Sequence, residues 1–352
     1  MYKTVKDKQV PFWEDERIWS KLRCCLWILI ALVCLLIVAS HIHIHHRDEY
    51  YTVHPDERPH SSQMLTSPEA QLKEIVCKSR HEDVCYYVID ADYGQTSKLR
   101  RLQIEGQTHS VLCAALLDST GKIVLDQLWA SYTRLVLQVP YIFDVFKPGK
   151  SSNVLQIGLG GGTISGFLEW LPEKHKITSI ELEPSVAYIA RQWYNVPSTQ
   201  RHQVVVGDGI QFVKERSLND EKYDFAIVDT SYEDDFHLMM SPVSIFAREE
   251  FAANLRRLMN DTHCALALNT YTHHTELEKL LDAEKFRHDT LNTFRKFFTS
   301  CFFVETGQNS ILFCSCHEYG EMTQARYQEA FERMPEILQS RLRVKFLVRS
   351  DW

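Results

Sequence analysis

The stretch NVLQIGLGGGT, residues 153–163, decides the fold of this 352-residue chain. Its first half is an apolar run typical of a buried strand, and its second half is a glycine-rich turn that precedes a helical pattern. Glycine is needed at such a turn when the backbone bends tightly and approaches a ligand closely, because a Cβ would clash there. A glycine turn alone is weak evidence, so its surroundings must decide whether it forms a binding site.

The segments that follow this turn alternate between buried strands and helices. The strands are KITSIEL, HQVVVGD and YDFAIVD, and later CALALNT, CFFVET and SILFCSC. Buried strands interleaved with helices are typical of a parallel sheet with helices on both faces. The sequence therefore predicts a Rossmann-like, doubly wound, mostly parallel α/β sheet over residues 147–318, with an antiparallel edge.

Three successive strands of this predicted sheet end in an acid, namely Glu181, Asp208 and Asp229. Ligands of open α/β sheets bind at the carboxyl ends of the strands, where these acids would lie together. Glu181 follows the glycine turn by about twenty residues, a spacing at which a carboxylate accepts hydrogen bonds from ribose hydroxyls. Asp208, in a Gly-Asp-Gly run, can accept a hydrogen bond from an adenine amino group.

The pattern thus predicts a nucleoside site, with the following cofactor-binding residues: Gly158, Gly160, Gly161, Gly162, Glu181, Asp208 and Gly209. The alternative is that the glycines form only a tight turn and that Glu181 is a solvated acid at a strand end.

Two smaller segments flank the predicted sheet. Short β-type runs separated by glycines predict a small antiparallel β domain over residues 73–146. Residues 319–352 begin as an amphipathic helix and predict a helical tail.

A hydrophobic segment, residues 24–44, lies near the N-terminus. As a helix it would reach about 31 Å, which is close to the hydrocarbon thickness of a bilayer. We interpret it as an uncleaved transmembrane signal anchor between a cytosolic tail, residues 1–23, and a polar stalk, residues 45–72. A cleaved signal peptide and a buried core helix are the alternatives.

The charges around this segment favour a type II orientation. Six Lys and Arg residues precede it, whereas only Arg47 and Arg58 follow closely, so the positive-inside rule places the N-terminus in the cytosol. The folded part would then be lumenal or extracellular.

Two further features are compatible with that side. Asn260 begins a glycosylation sequon, and Cys77 and Cys85 are close enough in sequence to form a small disulfide loop. A cytosolic folded domain is the open alternative.

Composition excludes two classes of ligand. The net charge of −7 and the pI near 6.1 provide no basic excess, so we expect no nucleic-acid partner. No framework of Cys and acidic ligands surrounds the four histidines of residues 41–46, so we expect residues of the membrane interface there and no metal site.

Residues 121–317 resemble the spermidine synthase-like branch of the class I methyltransferases. The residues that carry the resemblance are the glycine turn at Gly158, Glu181-Leu182-Glu183, and Gly207-Asp208-Gly209. Upstream, Ser131-Tyr132 followed by Val139-Pro140 is similar to the S-Y-Q-E...L-P helix of polyamine synthases. The resemblance implies S-adenosylmethionine, or its decarboxylated form, as the cofactor.

Two departures from the polyamine pattern favour methyl transfer. The D-S-x-D motif of spermidine synthases reads Asp229-Thr230-Ser231-Tyr232, so its second acid is missing, and Arg134 stands at a position expected to face a cation. A dicationic substrate needs carboxylates around it. By contrast, residues 238–246 and 309–314 resemble the C-terminal domain of the elongation factor 1-alpha lysine and N-terminal methyltransferase.

We therefore expect a membrane-anchored methyltransferase that acts on an amine or a protein nitrogen. Asp229 is the candidate catalytic acid, with a helix cap as its alternative role. Tyr132 and Asp234 are candidate substrate residues. A buried core tyrosine is the favoured alternative for Tyr132, and a solvated loop acid is the alternative for Asp234. An aminopropyltransferase, a noncatalytic cofactor-binding module and a homodimer are open alternatives.

Overall fold

A computed structural model of the chain describes residues 50–53, 70–78, 84–94, 97–105, 111–197, 199–219, 221–233 and 236–349. Apart from Tyr50, these residues belong to one compact unit, Tyr51–Trp352. No helix within the described ranges is long and apolar enough to cross a membrane. The predicted anchor at 24–44, the predicted tail at 1–23 and the histidines of residues 41–46 lie outside those ranges.

The N-terminal sheet has six strands in sequence order, and successive strands from β2 to β6 pair antiparallel. Its strands are β1 (Tyr50–Val53), β2 (Gln71–Lys78), β3 (Cys85–Tyr93), β4 (Ser97–Ile104), β5 (Val111–Leu117) and β6 (Ile123–Leu128). The alternating patterns that predicted β3 to β6 thus form the expected small sheet. The first two strands were not expected, since β1 falls within the predicted stalk and β2 carries two charged residues in its first half.

The second sheet has eight strands in the order β14-β12-β13-β11-β10-β7-β8-β9. They are β7 (Asn153–Ile157), β8 (Lys176–Glu181), β9 (His202–Val206), β10 (Phe225–Val228), β11 (Ala265–Tyr271), β12 (Ser300–Thr306), β13 (Asn309–Ser315) and β14 (Leu347–Arg349). Five neighbouring strands, from β11 to β9, run parallel, and the other three pair antiparallel. The predicted doubly wound sheet with an antiparallel edge is therefore confirmed.

Eight helices accompany the strands within the described ranges. They are α1 (Ser131–Ile142), α2 (Thr163–Trp170), α3 (Pro184–Trp193), α4 (Gly209–Arg216), α5 (Glu249–Leu258), α6 (Leu277–Arg295), α7 (Gln324–Glu332) and α8 (Glu336–Leu342). Helix α1 buries Leu135, Val136 and Val139 and packs on β11 and β13, in one cluster with α7 and α8. The sequence grouped α1 with the small domain, but its apolar face packs on the large sheet.

The C-terminal segment differs from the predicted helical tail. Helices α7 and α8 are followed by β14, which pairs antiparallel with β12 from Phe303↔Arg349 to Glu305↔Leu347. Gln138 of α1, which is fully buried, accepts a hydrogen bond from Tyr327 at 2.6 Å and donates one to the carbonyl of Leu342 at 2.7 Å. The segment is thus fastened to the core by buried polar contacts as well as by apolar packing.

Three disulfides join cysteines of the folded part. They are Cys77–Cys85, which confirms the predicted small loop, Cys264–Cys316 and Cys301–Cys314. Cys113 is the cysteine left unpaired in the described part of the chain. Two disulfides cross-link the antiparallel edge of the large sheet, and the third joins neighbouring strands of the small one.

Candidate functional site

The chain reverses its direction of winding between β7 and β10. From β7 it proceeds to β8 and β9 on one side, and β10 and β11 then add on the other side. Such a switch point opens a crevice at the carboxyl ends of the strands, and ligands of this fold class bind there. The predicted cofactor-binding residues either end β8, as Glu181 does, or follow β7 or β9, so the fold brings them to this crevice.

Gly158 determines how closely the ends of β7 and β10 approach. Its φ is +85°, and a Cβ at this position would lie 2.1 Å from the carbonyl oxygen of Asp229. Gly162 is similarly constrained, with a φ of +73° and 2.2 Å from an added Cβ to Val196. At both positions a side chain would clash with a neighbouring atom and would also have to adopt a positive φ, so glycine is required.

Gly161 and Gly209 serve close packing. A Cβ on Gly161 would lie 2.6 Å from the sulfur of Cys113, which the small sheet places against the loop. A Cβ on Gly209 would lie 2.6 Å from Ile157, so glycine lets α4 begin beside β7. Burial raises the pKa of the Cys113 thiol to about 11, so this sulfur acts as a neutral packing group.

Glu181 holds the glycine loop in place. Its Oε2 accepts hydrogen bonds from the backbone N–H of Leu159 at 2.9 Å and of Gly160 at 3.2 Å, and its Oε1 accepts one from Glu183 at 3.0 Å. A carboxylate has about four acceptor positions. One acceptor position on Oε1 is therefore free to accept a hydrogen bond from a ligand hydroxyl. To accept hydrogen bonds from two ribose hydroxyls, Glu181 would have to lose one of its bonds from the loop N–H groups.

Burial raises the pKa of Glu181, and the three backbone donors partly offset that effect.

Asp208, unlike Glu181, is exposed. It caps α4, because its Oδ1 accepts a hydrogen bond from the N–H of Ile210 at 2.7 Å. Its Oδ2 has no hydrogen-bond partner among the described residues and can accept one from a ligand.

Asp229 lies at the centre of a polar network that the fold builds from distant segments. Its Oδ2 accepts a hydrogen bond from the hydroxyl of Tyr132 at 3.1 Å, and its Oδ1 accepts one from Asn269 at 2.8 Å. Asn269 in turn accepts a hydrogen bond from Asn309 at 2.9 Å. Burial raises the pKa of Asp229, although the bonds from Asn269 and Tyr132 partly offset it, so the carboxylate is a stronger base than a solvated one.

Asn269 and Asn309 were not predicted from the sequence. Asn269 lies toward the site end of the parallel strand β11, and Asn309 lies at the start of its antiparallel neighbour β13. A polar residue near the end of an otherwise apolar strand such as CALALNT was the available signal.

A second polar cluster joins the small sheet to the same rim. The ammonium of Lys78 lies 2.9 Å from Oε1 of Glu183 and 2.6 Å from Oε2 of Glu233, and Tyr86 donates a hydrogen bond to Glu233. Burial alone would lower the pKa of Lys78, but Glu233 and Glu183 outweigh it and raise the pKa above its ordinary value. Lys78 is therefore a charged group that neutralises acids beside the cofactor crevice.

Three positions remain: the predicted substrate residue Asp234, and Tyr232 and Arg134, which depart from the polyamine pattern. Asp234 lies outside the described residues. Tyr232, which replaces the second acid of the polyamine motif, stacks on His237 with ring centroids 3.4 Å apart. Arg134 donates two hydrogen bonds to the carbonyl of Leu128, at 2.9 and 2.5 Å. Its guanidinium is thus committed to the backbone at the end of β6.

Comparison with known proteins agrees with this architecture, although no family model matches the chain. The eEF1A lysine and N-terminal methyltransferase of Xenopus laevis is 25% identical over 194 residues, which cover 54% of this chain and 27% of that protein. The polyamine aminopropyltransferase of Vibrio vulnificus is 28% identical over 199 residues, covering 56% of this chain and 59% of that protein. The chain thus spans less than two thirds of either relative.

Solved structures share the fold. A probable spermidine synthase from Corynebacterium glutamicum superposes with a TM-score of 0.58 at 16% identity, covering 81% of this chain and 92% of that one. A human methyltransferase-like protein 13 in complex with SAH gives a TM-score of 0.51 at 18% identity, covering 62% and 94%. The chain is therefore similar to both methyltransferases and spermidine synthases, as its motifs predicted.

The contact between Gly158 and Asp229 predicts a difference between two glycines of the same loop. Gly158→Ala and Gly160→Ala each place a side chain at positive φ, which costs about 1–2 kcal/mol. Only the Gly158 variant also forces a Cβ against a backbone carbonyl, since nothing lies within 4 Å of a Cβ on Gly160. We expect Gly158→Ala to lose about 1–3 kcal/mol more in urea unfolding. Equal losses would contradict the close approach of β7 and β10.

Proposed function

We propose that this chain is an S-adenosylmethionine-dependent methyltransferase that acts on a nitrogen of an amine or a protein. The observation that carries the proposal is the position of Asp229. A half-buried carboxylate whose pKa is raised by burial directly follows β10, and its own carbonyl is in reach of the glycine loop at Gly158. A proton acceptor and a cofactor loop therefore share one crevice.

The residues of the crevice fit an adenosine-bearing cofactor. Glu181 keeps one acceptor position on Oε1, and Asp208 presents an acceptor oxygen that its helix does not use. Two further facts support the cofactor: the similar human methyltransferase-like protein 13 was solved with SAH, and the similar Xenopus protein is named as a methyltransferase.

The bound cofactor would supply an electrophilic methyl group on its sulfonium. The acceptor nitrogen that takes up this methyl group would lose a proton. Asp229 receives the proton that the nitrogen loses. Tyr132 and Asn269 orient the carboxylate for this step through their hydrogen bonds, at 3.1 and 2.8 Å.

Aminopropyl transfer is the second candidate, because the Vibrio vulnificus relative is a polyamine aminopropyltransferase. The Lys78 cluster opposes it. Glu183 and Glu233 are two acids of this rim that could attract a polyamine, and the ammonium of Lys78 contacts both. A diamine would have to displace a partly buried lysine from two carboxylates before binding there.

The proposed function predicts cofactor binding by the full-length protein in detergent micelles. We expect saturable heat in calorimetry with S-adenosylmethionine and with SAH, and weaker heat with decarboxylated S-adenosylmethionine. Glu181→Gln should weaken SAH binding by about tenfold, because it removes a charged acceptor at the crevice. Glu215→Gln, an exposed change on α4, is the matched control and should bind as the wild type does.

The absence of binding heat with all three ligands would refute the proposal. Preference for decarboxylated S-adenosylmethionine would instead favour the aminopropyltransferase. Binding of SAH without methyl transfer to any amine or protein would favour a noncatalytic cofactor-binding module.

The Lys78 cluster predicts a gain of diamine binding when the internal ammonium is removed. We expect Lys78→Met to bind putrescine at least about tenfold more tightly than the wild type, since two carboxylates lose their counter-ion. Lys73→Met, on the same strand, removes a cation that has no carboxylate within salt-bridge distance among the described residues, and it is the control. Equal putrescine affinity in the wild type and Lys78→Met would contradict the neutralising role.

We also propose that residues 24–44 anchor the protein in a membrane and that the folded part is lumenal or extracellular. The positive charges before this segment support the orientation, and three disulfides support an oxidising compartment. Homodimer formation stays a prediction from the sequence.

The topology predicts that a C-terminal tag on the full-length chain resists protease in intact microsomes and is digested once detergent opens them. Digestion before detergent would place the folded part in the cytosol, where an ordinary cytosolic acceptor is accessible.

A further inference from the structure

An open cavity of about 660 Å³ lies where the first turn of α1 meets the C-terminal segment. It is lined by the following residues: Ser131, Arg134, Thr306, Gly307, Arg343, Val344 and Lys345. Three of them are cationic and none is acidic. Cavities of this size are in the range that holds a small ligand or part of a larger one.

The three cations have no carboxylate partner within salt-bridge distance among the described residues. The acids on neighbouring segments are taken by other arginines. Asp126 pairs with Arg341 at 2.8 Å, and Glu305 pairs with Arg349 at 3.6 Å. Arg134, Arg343 and Lys345 thus give this cavity an uncompensated positive charge, although the whole chain carries a net charge of −7.

Two of these side chains are held in place. Arg134 donates to the carbonyl of Leu128 at 2.9 and 2.5 Å and to that of Arg343 at 3.5 Å. The guanidinium of Arg343 lies over the ring of Phe331, 5.3 Å from its centroid. Ordering a flexible side chain costs free energy on binding, so cations that are already positioned favour a ligand more than mobile ones do.

The cavity shares two segments with the network around Asp229. Ser131 lines it, and the next residue, Tyr132, donates a hydrogen bond to Asp229. Gly307 lines it as well, two residues before Asn309, which bonds to Asn269 of the same network. A ligand in the cavity would therefore lie against the two segments that orient the proposed proton acceptor.

We propose that this basic cavity binds a carboxylate or phosphate group of the molecule that receives the methyl group. Guanidinium groups pair with both oxyanions through two parallel N–H donors, and an ammonium adds a point charge. The inference rests on the proposed function for the identity of the ligand as the acceptor. The acceptor then carries an oxyanion besides its nucleophilic nitrogen, which distinguishes it from a polyamine.

Calorimetric titration of the full-length protein in detergent micelles tests the site, with inorganic pyrophosphate and citrate as probes at constant ionic strength. We expect saturable binding of at least one probe, weakened by about tenfold or more in Arg343→Gln/Lys345→Gln. Both residues are exposed, so the double variant should fold normally. Lys147→Gln/Lys150→Gln removes the same charge from the exposed turn before β7 and should bind the probe as the wild type does.

Tighter binding of pyrophosphate supports a phosphate-bearing acceptor, and tighter binding of citrate supports a carboxylate-bearing one. No saturable binding of either probe, or equal loss in both double variants, overturns the inference. SAH titrated into the same proteins separates the two proposals. Its affinity should be unchanged in Arg343→Gln/Lys345→Gln, and a failure of SAH to bind refutes the proposed function while the anion titration still decides the cavity.

Discussion

The close approach of β7 and β10 at Gly158 is the constraint on which the site depends. A hydrogen instead of a side chain at this position lets the glycine loop lie against the carbonyl of Asp229, where a Cβ would be only 2.1 Å away. The two strands are parallel neighbours with Val154 opposite Phe225, so this contact follows directly from the sheet register. The proposed cofactor loop and proton acceptor are adjacent because the central strands of the sheet are adjacent.

Charge compensation, rather than the number of acids, distinguishes this rim from a cation-binding one. Glu181 is engaged by three backbone N–H groups, and Glu183 and Glu233 share the ammonium of Lys78. Asp229 accepts hydrogen bonds from the uncharged side chains of Tyr132 and Asn269, and burial raises its pKa and with it the capacity to accept a proton. Because their partners differ, a carboxylate that can accept a proton and carboxylates held in an ion pair lie at the same edge of the sheet.

The sequence was informative wherever a function depends on local pattern. Strand alternation, the glycine turn and the acids at strand ends are local, and they predicted the parallel sheet and placed Glu181, Asp208 and Asp229 at its rim. It was uninformative where partners come from distant segments. Asn269 reaches Asp229 across 40 residues and Lys78 reaches Glu233 across 155, and no spacing rule covers such pairs. Strand β14 was missed for the same reason, since three residues acquire strand character only by pairing with β12.

The Cys77–Cys85 disulfide supports the polar contacts that the small sheet makes with the rim. Cys77 directly precedes Lys78, and Cys85 directly precedes Tyr86, so the bond joins the two strands at the point from which both side chains reach Glu233. Cys77 and Cys85 are also register partners on neighbouring strands, which keeps Lys78 and Tyr86 at fixed separation. The disulfide therefore does more than stabilise the small sheet. It fixes the geometry through which that sheet neutralises the acids beside the cofactor crevice.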